Sequence, residues 1–363
     1  MGPCASKDRR LDQWATDGNA EDKIEEDKPD KLLLHREDTP ATSVVHLSPT
    51  HSSLLASAWD DGRIEIVDWS SREAVASIPA HKKAINRLAF GPNTKSLYAC
   101  SRDTTISRYR LDFDGAVNTV KMESFAGHSL SVSAITINGS ETQLASGSRD
   151  TSVSLWDVAT TTQLQHTTTS QNIVTCMAWV PIHDTLVAQG GEDLRVRIWD
   201  SRAWKSPVQT IEGYVYFPLS LDVSDDGNYI LTSSKGTILS WICWLMPLGF
   251  NGVGCEGRVW DRRTGKQVCE MAGHLQDATA CSYIKQRNEY VLTASKDSSL
   301  RVWNSASGAL VSSTYDHALG MFTALTSLPP DDAGIVRIFT SSFTGHLAVY
   351  AFNTATATIE LEI

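Results

Sequence analysis

The sequence predicts an all-β protein, a seven-bladed β-propeller with a disordered N-terminal tail, and two observations support this prediction. The first is spacing: Trp156 and Trp199 are 43 positions apart, and so are Trp260 and Trp303. The second is a strand ending that recurs at each of these tryptophans: Leu155-Trp156-Asp157, Ile198-Trp199-Asp200, Val259-Trp260-Asp261 and Val302-Trp303-Asn304. A period of about 40–45 residues with several short strands per repeat is typical of propeller blades.

Seven such repeats fill residues 39–363. In the first, Val67 stands at the Trp position, and alternating runs such as residues 131–137 predict strands with one buried face. Two segments could supply the outer strand of the last blade. Residues 357–362 follow their own blade directly, so we favour them over residues 31–35, which would cross over from the N-terminus. Closure matters because an open ring exposes a sheet edge.

Composition limits the function classes. Residues 1–38 are polar and acidic, which predicts a flexible tail, and they contain no apolar stretch of a signal peptide. The net charge of −10 argues against a nucleic-acid surface. The seven cysteines contain no C-x-x-C pair, so we expect reduced thiols in a cytosolic protein, no metal site and no cofactor.

The Gly127-His128 and Gly273-His274 openings, combined with the Trp-Asp endings, resemble the WD-repeat family. That resemblance implies a propeller that holds protein partners and does no chemistry. It also implies two buried, hydrogen-bonded tetrads: His128, Ser146, Asp150 and Trp156, and His274, Thr293, Asp297 and Trp303. A His, an Asp and a hydroxyl also suggest a catalytic triad, but a nucleophile would need a cleft and an oxyanion site. We therefore expect structural tetrads, no catalytic residue and no enzyme.

Partner binding is expected on the rim of one face. The position before each tetrad Asp is exposed in a turn that rigid strands hold, which suits ligand contact. Simple solvation is the alternative for any one of these residues. The candidates are Arg102, Arg149, Glu192 and Lys296.

Two strand endings carry an additional arginine, Arg202 in Trp199-Asp200-Ser201-Arg202 and Arg263 in Trp260-Asp261-Arg262-Arg263. The pattern resembles the WD-repeat substrate receptors of cullin-RING ubiquitin ligases, which implies that these arginines contact an adaptor. A substrate receptor is therefore the alternative function. The same spacing also suits a local ion pair, which contributes little at a surface.

The N-terminus, Met1-Gly2-Pro3-Cys4-Ala5-Ser6, matches a myristoylation motif at Gly2, with Cys4 placed for palmitoylation. Two acyl chains would give stable peripheral membrane association. Pro3 argues against this hypothesis, since the transferase disfavours Pro after Gly. A chance match is the alternative.

Residues 237–248 form an apolar insertion in blade five and lengthen the Trp199-to-Trp260 interval to 61. Three interpretations compete: a partner-binding plug, a membrane-dipping loop, and non-native sequence from an imperfect gene model. We favour the third, because removing about thirteen residues restores a near-normal interval.

A narrower resemblance covers the whole propeller. Asn172-Ile173-Val174-Thr175, Trp179-Val180-Pro181 and residues 249–257 are similar to the family of the small WD-repeat protein numbered thirty-one. The resemblance implies a non-enzymatic scaffold linked to cilia and to membrane trafficking around them. We therefore expect a monomeric propeller, cytoplasmic or associated with the cilium or a membrane, that binds proteins and no nucleic acid.

Overall fold

A computed structural model of the chain describes residues 34–35, 41–46, 53–92, 96–112, 118–169, 172–236 and 256–362. Every helix-or-strand element in these ranges is a β-strand, and the strands form seven antiparallel sheets. The fold is the seven-bladed, all-β propeller that the repeats predict.

The first strand, β1 (Leu34–His35), precedes the first blade. Each of the first three blades then contains four strands in chain order. They are β2 (Ala41–His46), β3 (Leu54–Trp59), β4 (Arg63–Asp68) and β5 (Glu73–Pro79); β6 (Ile85–Phe90), β7 (Ser96–Ser101), β8 (Thr105–Asp112) and β9 (Asn118–Ala126); and β10 (Val132–Ile137), β11 (Gln143–Ser148), β12 (Ser152–Asp157) and β13 (Gln163–Thr168).

Blades four to six repeat this arrangement, and blade seven is a five-stranded sheet that contains β1 in addition to its own four strands. They are β14 (Val174–Trp179), β15 (Leu186–Gly191), β16 (Arg195–Asp200) and β17 (Gln209–Ile211); β18 (Pro218–Val223), β19 (Tyr229–Ser234), β20 (Gly257–Asp261) and β21 (Gln267–Met271); β22 (Ala278–Tyr283), β23 (Tyr290–Ser295), β24 (Ser299–Asn304) and β25 (Leu310–Tyr315); and β26 (Phe322–Ser327), β27 (Ile335–Ser342), β28 (His346–Asn353) and β29 (Thr358–Leu361).

Burial follows the position of a strand within its blade. The second strands β3 and β7 are buried at every residue, because neighbouring blades cover both of their faces. The outer strand β13 is exposed at nearly every residue. The continuous apolar runs of second strands, such as Leu54-Leu55-Ala56, therefore match strands buried on both faces.

Seven apolar clusters fill the spaces between neighbouring blades, one at each interface. Between blades three and four, for example, Leu155 packs with Trp199 and Trp204, whose ring centroids are 5.5 Å apart. The core of this propeller is therefore a ring of separate interfaces.

Both chain ends close the ring, and they share one edge. Strand β29 pairs with the end of β28, from Tyr350 to Asn353. Strand β1 pairs with its beginning, Leu34 with Leu347 and His35 with His346. Residues 358–361 therefore close the last blade as expected, but only along the end of β28, and residues 34–35 pair with its beginning. Strand β1 lies within residues 1–38, the segment predicted as a tail, and it belongs to the sheet of blade seven.

The insertion at residues 237–248 lies outside the described residues, but the two strands that flank it are described. Strands β19 and β20 pair continuously from Tyr229–Asp261 to Ser233–Gly257. The Ser234 amide adds a further hydrogen bond to the Glu256 carbonyl at 3.0 Å. The hairpin therefore keeps the register seen in the other blades up to the point where the insertion departs.

The shared edge of blade seven gives a testable prediction. Deleting residues 358–363 removes β29, whose Ile359 and Leu361 pack against the cluster that contains Phe352. We expect a lower melting temperature and concentration-dependent association, because most of the β28 edge is then unpaired. A chain that lacks only Ile363 is the control. If the shorter chain melts like the control and stays monomeric by light scattering, β1 alone closes the ring.

Candidate functional site

The third blade contains a continuous chain of four side chains. The Trp156 indole N–H donates to the Ser146 hydroxyl at 2.8 Å, and Ser146 lies 2.7 Å from His128 Nε2. His128 Nδ1 lies 3.0 Å from Asp150 Oδ2. Because an indole N–H can only donate, the Ser146 hydroxyl hydrogen points to His128, whose Nδ1–H then donates to Asp150.

The sixth blade repeats this chain. Trp303 donates to the Thr293 hydroxyl at 2.8 Å, and Thr293 lies 2.7 Å from His274 Nε2. His274 Nδ1 lies 3.3 Å from Asp297 Oδ2. The eight positions that the resemblance implied thus form two hydrogen-bonded tetrads, whose hydroxyl-bearing residues have no exposed surface.

The charges within the third-blade tetrad follow from its burial. Burial lowers the pKa of His128 below its usual value, although the Asp150 carboxylate acts in the opposite direction. Burial alone would raise the pKa of Asp150, but hydrogen bonds from Ser152, Ser129 and His128 outweigh it and lower that pKa to about 2. At neutral pH the pair therefore consists of a neutral imidazole and a carboxylate.

The side chains of each tetrad hydrogen-bond to one another, and their hydroxyl groups are not accessible to a substrate. The Ser146 and Thr293 hydroxyls accept from an indole and donate to an imidazole, and no part of either residue is exposed. A reacting carbonyl could not approach a hydroxyl enclosed in this way. The geometry therefore favours a structural role for both tetrads.

Blade two contains a related pair that the sequence did not predict. His81 Nδ1 lies 2.9 Å from Asp103 Oδ2, but Ala99 replaces the tetrad hydroxyl and Tyr109 replaces the Trp. The Tyr109 hydroxyl donates to the Ala80 carbonyl at 2.8 Å. The signal was present in Ala80-His81, which stands where other blades have Gly-His, but the missing Trp concealed it.

Other blades lack the full tetrad. Trp199 in blade four donates to the Gln189 side-chain oxygen at 3.2 Å. In blade one Val67 stands at the Trp position, and Trp59 of the second strand donates to Ser57 at 3.1 Å. In blade five the Tyr214 ring packs on Trp260, with centroids 4.8 Å apart, and the buried Trp260 indole nitrogen has no hydrogen-bond partner among the described residues. Blades four and five therefore keep the tryptophan although the full tetrad is lost.

The tetrad carboxylates also hold the turns that carry the candidate binding residues. Asp150 accepts hydrogen bonds from the Ser152 amide at 3.0 Å and from the Ser129 amide at 2.9 Å. These two bonds fix both segments of the chain that meet at this face. Thr151 in the same turn has φ of 67°, a conformation that is uncommon for a β-branched residue. The turn exposing Arg149 is therefore rigid on both sides.

A cavity of about 630 Å³ opens on this face, at the end of the central channel. Arg102, Arg149 and Glu192 line it, together with Asp60 and the more deeply placed Arg87. We call this opening the channel mouth. Three of the four predicted partner-binding residues thus lie around one cavity, whereas Lys296 does not line it and pairs with Asp277 at 2.8 Å.

Hydrogen bonds between blades that the sequence did not predict stiffen the mouth. Four inner strands carry a polar side chain at a β-bulge that bonds to a main-chain carbonyl of the next blade. The bonds join Asn86 to Val132 at 2.6 Å, Ser133 to Val174 at 2.5 Å, Thr175 to Pro218 at 2.5 Å and Thr279 to Phe322 at 2.8 Å. The sequence signal was a polar residue directly after the first buried residue of each inner strand.

The two W-D-x-R arginines lie on the opposite face, in turns between third and fourth strands. Arg202 forms a two-point ion pair with Asp200, at 3.0 Å from Nε and 2.6 Å from Nη2, although its side chain is 74 % exposed. The Arg263 side chain is exposed, and its amide donates to Asp261 at 2.8 Å. The local ion pair that the spacing suggested is therefore present at Arg202.

The remaining expectations concern the cysteines, metal ions, the membrane and acylation. Among the described residues, Cys100, Cys176, Cys269 and Cys281 are buried free thiols. No cluster suited to a metal ion, and no helix long and apolar enough to cross a bilayer, occurs in the ranges that the structure covers. Gly2 and Cys4, the predicted acylation sites, lie outside those ranges.

Comparison with known proteins now decides the family. The sequence profile described as "WD domain, G-beta repeat" matches residues 72–109, 119–157, 160–200, 205–241 and 265–304, together more than half of the chain. The chain belongs to the WD-repeat family. The matched ranges include blades three and six, which carry the two full tetrads.

Two curated relatives are similar to this chain at low sequence identity. A frog (Xenopus tropicalis) "U3 small nucleolar RNA-associated protein 15 homolog" is 23 % identical over 321 residues, which cover 85 % of this chain and 55 % of the relative. "Nuclear distribution protein PAC1" of Arthroderma benhamiae is 28 % identical over 292 residues, covering 75 % of this chain and 60 % of the relative. This WD-repeat chain thus spans little more than half of each relative's length.

The tetrad geometry predicts the effect of single substitutions. We expect Asp150→Ala or Trp156→Ala to lower the free energy of unfolding by about 1–3 kcal/mol, because each leaves buried polar groups without a partner. Chemical unfolding followed by circular dichroism measures this. Asp332→Ala, which removes a carboxylate from an exposed turn, is the control. Unfolding curves that match the control for both variants would contradict a structural tetrad.

The pKa shifts predict how stability depends on pH. Since burial lowers the pKa of His128 and His274 in the folded state, protons bind preferentially to the unfolded chain below the usual value of 6.5. We expect the free energy of unfolding to fall between pH 7 and pH 5. A second loss is expected between about pH 4 and pH 2, where Asp150 becomes protonated.

Denaturant titrations at a series of pH values measure this dependence. Replacing His128 and His274 together by Gln should reduce the slope between pH 7 and pH 5, because two titrating groups are removed. A slope that is unchanged in the double variant would show that other groups cause the loss.

Proposed function

We propose that this WD-repeat protein is a non-enzymatic scaffold that binds protein partners at the channel mouth. The observation that carries the proposal is the convergence of Arg102, Arg149 and Glu192 around one cavity. Residues on loops that a rigid framework positions are suited to recognition. The buried tetrads, which hold these turns, supply the framework, and the Ser146 and Thr293 hydroxyls within them are enclosed.

The cellular setting is proposed on resemblance. Similarity to the WD-repeat protein numbered thirty-one supports a cytoplasmic scaffold in trafficking around the cilium. The names of the curated relatives point elsewhere, to a nucleolar RNA-associated protein and to a nuclear distribution protein. A role in a ribonucleoprotein assembly would fit the first name, but the overall charge of −10 favours protein partners over direct nucleic-acid binding.

An N-terminal lipid anchor is a separate part of the proposal. The motif at Gly2, with Cys4 beside it, supports acylation, and Pro3 argues against it. The anchor would hold the protein at a membrane and would leave the channel mouth unchanged.

The alternative is a substrate receptor of a cullin-RING ubiquitin ligase, supported by Arg202 and Arg263. Both arginines lie on the face opposite the channel mouth. An adaptor could therefore bind there while a substrate occupies the mouth. The ion pair of Arg202 with Asp200 weakens this alternative, because part of the guanidinium is already engaged.

Affinity capture with charge-reversed chains tests the two faces separately. We expect Arg102→Glu, Arg149→Glu, Glu192→Lys and Lys296→Glu together to reduce recovery of partners about tenfold, because like charges at an interface cost several kcal/mol. Mass spectrometry quantifies the recovered proteins. The chain with Arg202→Glu and Arg263→Glu is the matched variant from the opposite face.

Retention of every partner by the variant with four reversed charges would overturn the assignment of the binding face. Selective loss of a cullin-RING adaptor in the Arg202 and Arg263 variant would favour the ligase alternative.

A further inference from the structure

Arg87 has an unusual environment for an arginine. It lies on the inner strand β6, and its side chain reaches across the central channel to blade five. There Nη2 donates to the Leu219 carbonyl at 3.1 Å. The same side chain lines both the channel mouth and a second cavity of about 290 Å³ further along the channel. Arg87 therefore forms the floor of the channel mouth.

No described carboxylate lies within ion-pair distance of the Arg87 guanidinium. Its one hydrogen bond to a described residue is the bond to Leu219. A guanidinium offers five N–H donors, so most of them remain available to a ligand. Half-buried positive charge without a counter-ion is costly, and an anionic ligand would remove that cost.

The charged residues on the walls of the mouth favour a ligand with a single negative charge. Arg149 makes no ion pair with a described residue, whereas Arg102 is partly compensated by Asp60 at 3.7 Å. Glu192 contributes an opposing negative charge, and it too has no ion-pair partner among the described residues. A carboxylate with one charge suits this balance better than a phosphate group, which carries about −1.5 to −2 at neutral pH.

The mouth also has an apolar side. Ile173 and Phe217 line it, and Phe343 at its edge is 57 % exposed. Leu219 places its carbonyl beside the arginine and lines the same cavity. An apolar side chain next to the charged group could therefore be buried at the same time.

We propose that the channel mouth binds an extended peptide segment of a partner protein, with an Asp or Glu carboxylate paired to Arg87 and an apolar neighbour against Phe217 and Phe343. This inference rests on the proposed function and names the chemistry of the partner. The planar guanidinium matches a carboxylate in a two-point contact. The hydrogen bonds between blades hold the arginine's strand in place before binding, so little ordering cost remains.

Peptide pools of defined chemistry test the proposal on the full chain. Each pool contains fluorescent twelve-residue peptides with acetylated and amidated ends and one fixed central residue: Glu, Gln, phosphoserine or Lys. Fluorescence polarisation measures affinity. We expect the Glu pool to bind about tenfold more tightly than the Gln pool, as for a hydrogen bond to a charged group.

Three variants locate the preference. Arg87→Gln should remove the difference between the Glu and Gln pools, and Arg87→Lys should retain part of it. Arg287→Gln removes the same charge from an exposed turn on the opposite face and should behave like the unmodified chain. If Arg87→Gln does not fold, Arg149→Gln takes its place, and we then expect a loss of about threefold, as for a more exposed charge.

Tighter binding of the phosphoserine pool would overturn the carboxylate assignment in favour of a phosphorylated partner. Equal binding of all pools, binding of none, or an acidic preference that survives Arg87→Gln would overturn the inference altogether. Each of these results can coexist with capture of partners that depends on Arg102 and Arg149. Failure of the inference is therefore distinguishable from failure of the proposed function.

Discussion

The packing of each blade against its neighbour is the constraint on which the rest of this structure depends. A single blade leaves the apolar faces of its second and third strands exposed, and those faces are covered only when the next blade is present. Because the seven clusters form a ring, loss of the last interface would expose two surfaces at once. This explains why both chain ends are used on the edge of β28, where β1 and β29 together complete the outer strand of blade seven.

The tetrads serve the same constraint from within each blade. A tryptophan large enough to fill the space between blades brings an indole N–H into the core, and that donor needs an acceptor. Ser146 and Thr293 provide it, and their hydroxyls are in turn satisfied by buried histidines. Where the histidine is lost, Gln189 accepts from Trp199 in blade four, Ser57 accepts from Trp59 of the second strand in blade one, and the Tyr214 ring packs on the Trp260 indole in blade five. The hydrogen bonds therefore follow from the packing requirement.

The sequence predicted these repeated features because they are local. The Trp-Asp endings, the period of 43 and the place of Val67 follow from strand spacing within one repeat. Features that depend on ring closure were harder to predict. Residues 31–35 were one of two candidates for the closing strand, but the two residues of β1 are too few to show an alternating pattern, so the C-terminal segment was favoured. Arg87 directly follows another polar residue, Asn86, in the inner strand β6, and only the closed ring brings it within reach of Leu219, 132 residues away.

The same geometry links structure to recognition. Arg102, Arg149 and Lys296 each precede a carboxylate that is bonded to a histidine, so each is carried by a turn that the core holds rigidly. What separates them is their neighbours: Lys296 is neutralised by Asp277, and Arg102 in part by Asp60. Arg149 and Arg87 make no ion pair with a described residue, and both line the channel mouth. The turn held by a histidine-bonded carboxylate is thus common to several blades. The positive charge available to a partner is concentrated at Arg149 and Arg87, which nearby acidic side chains do not neutralise.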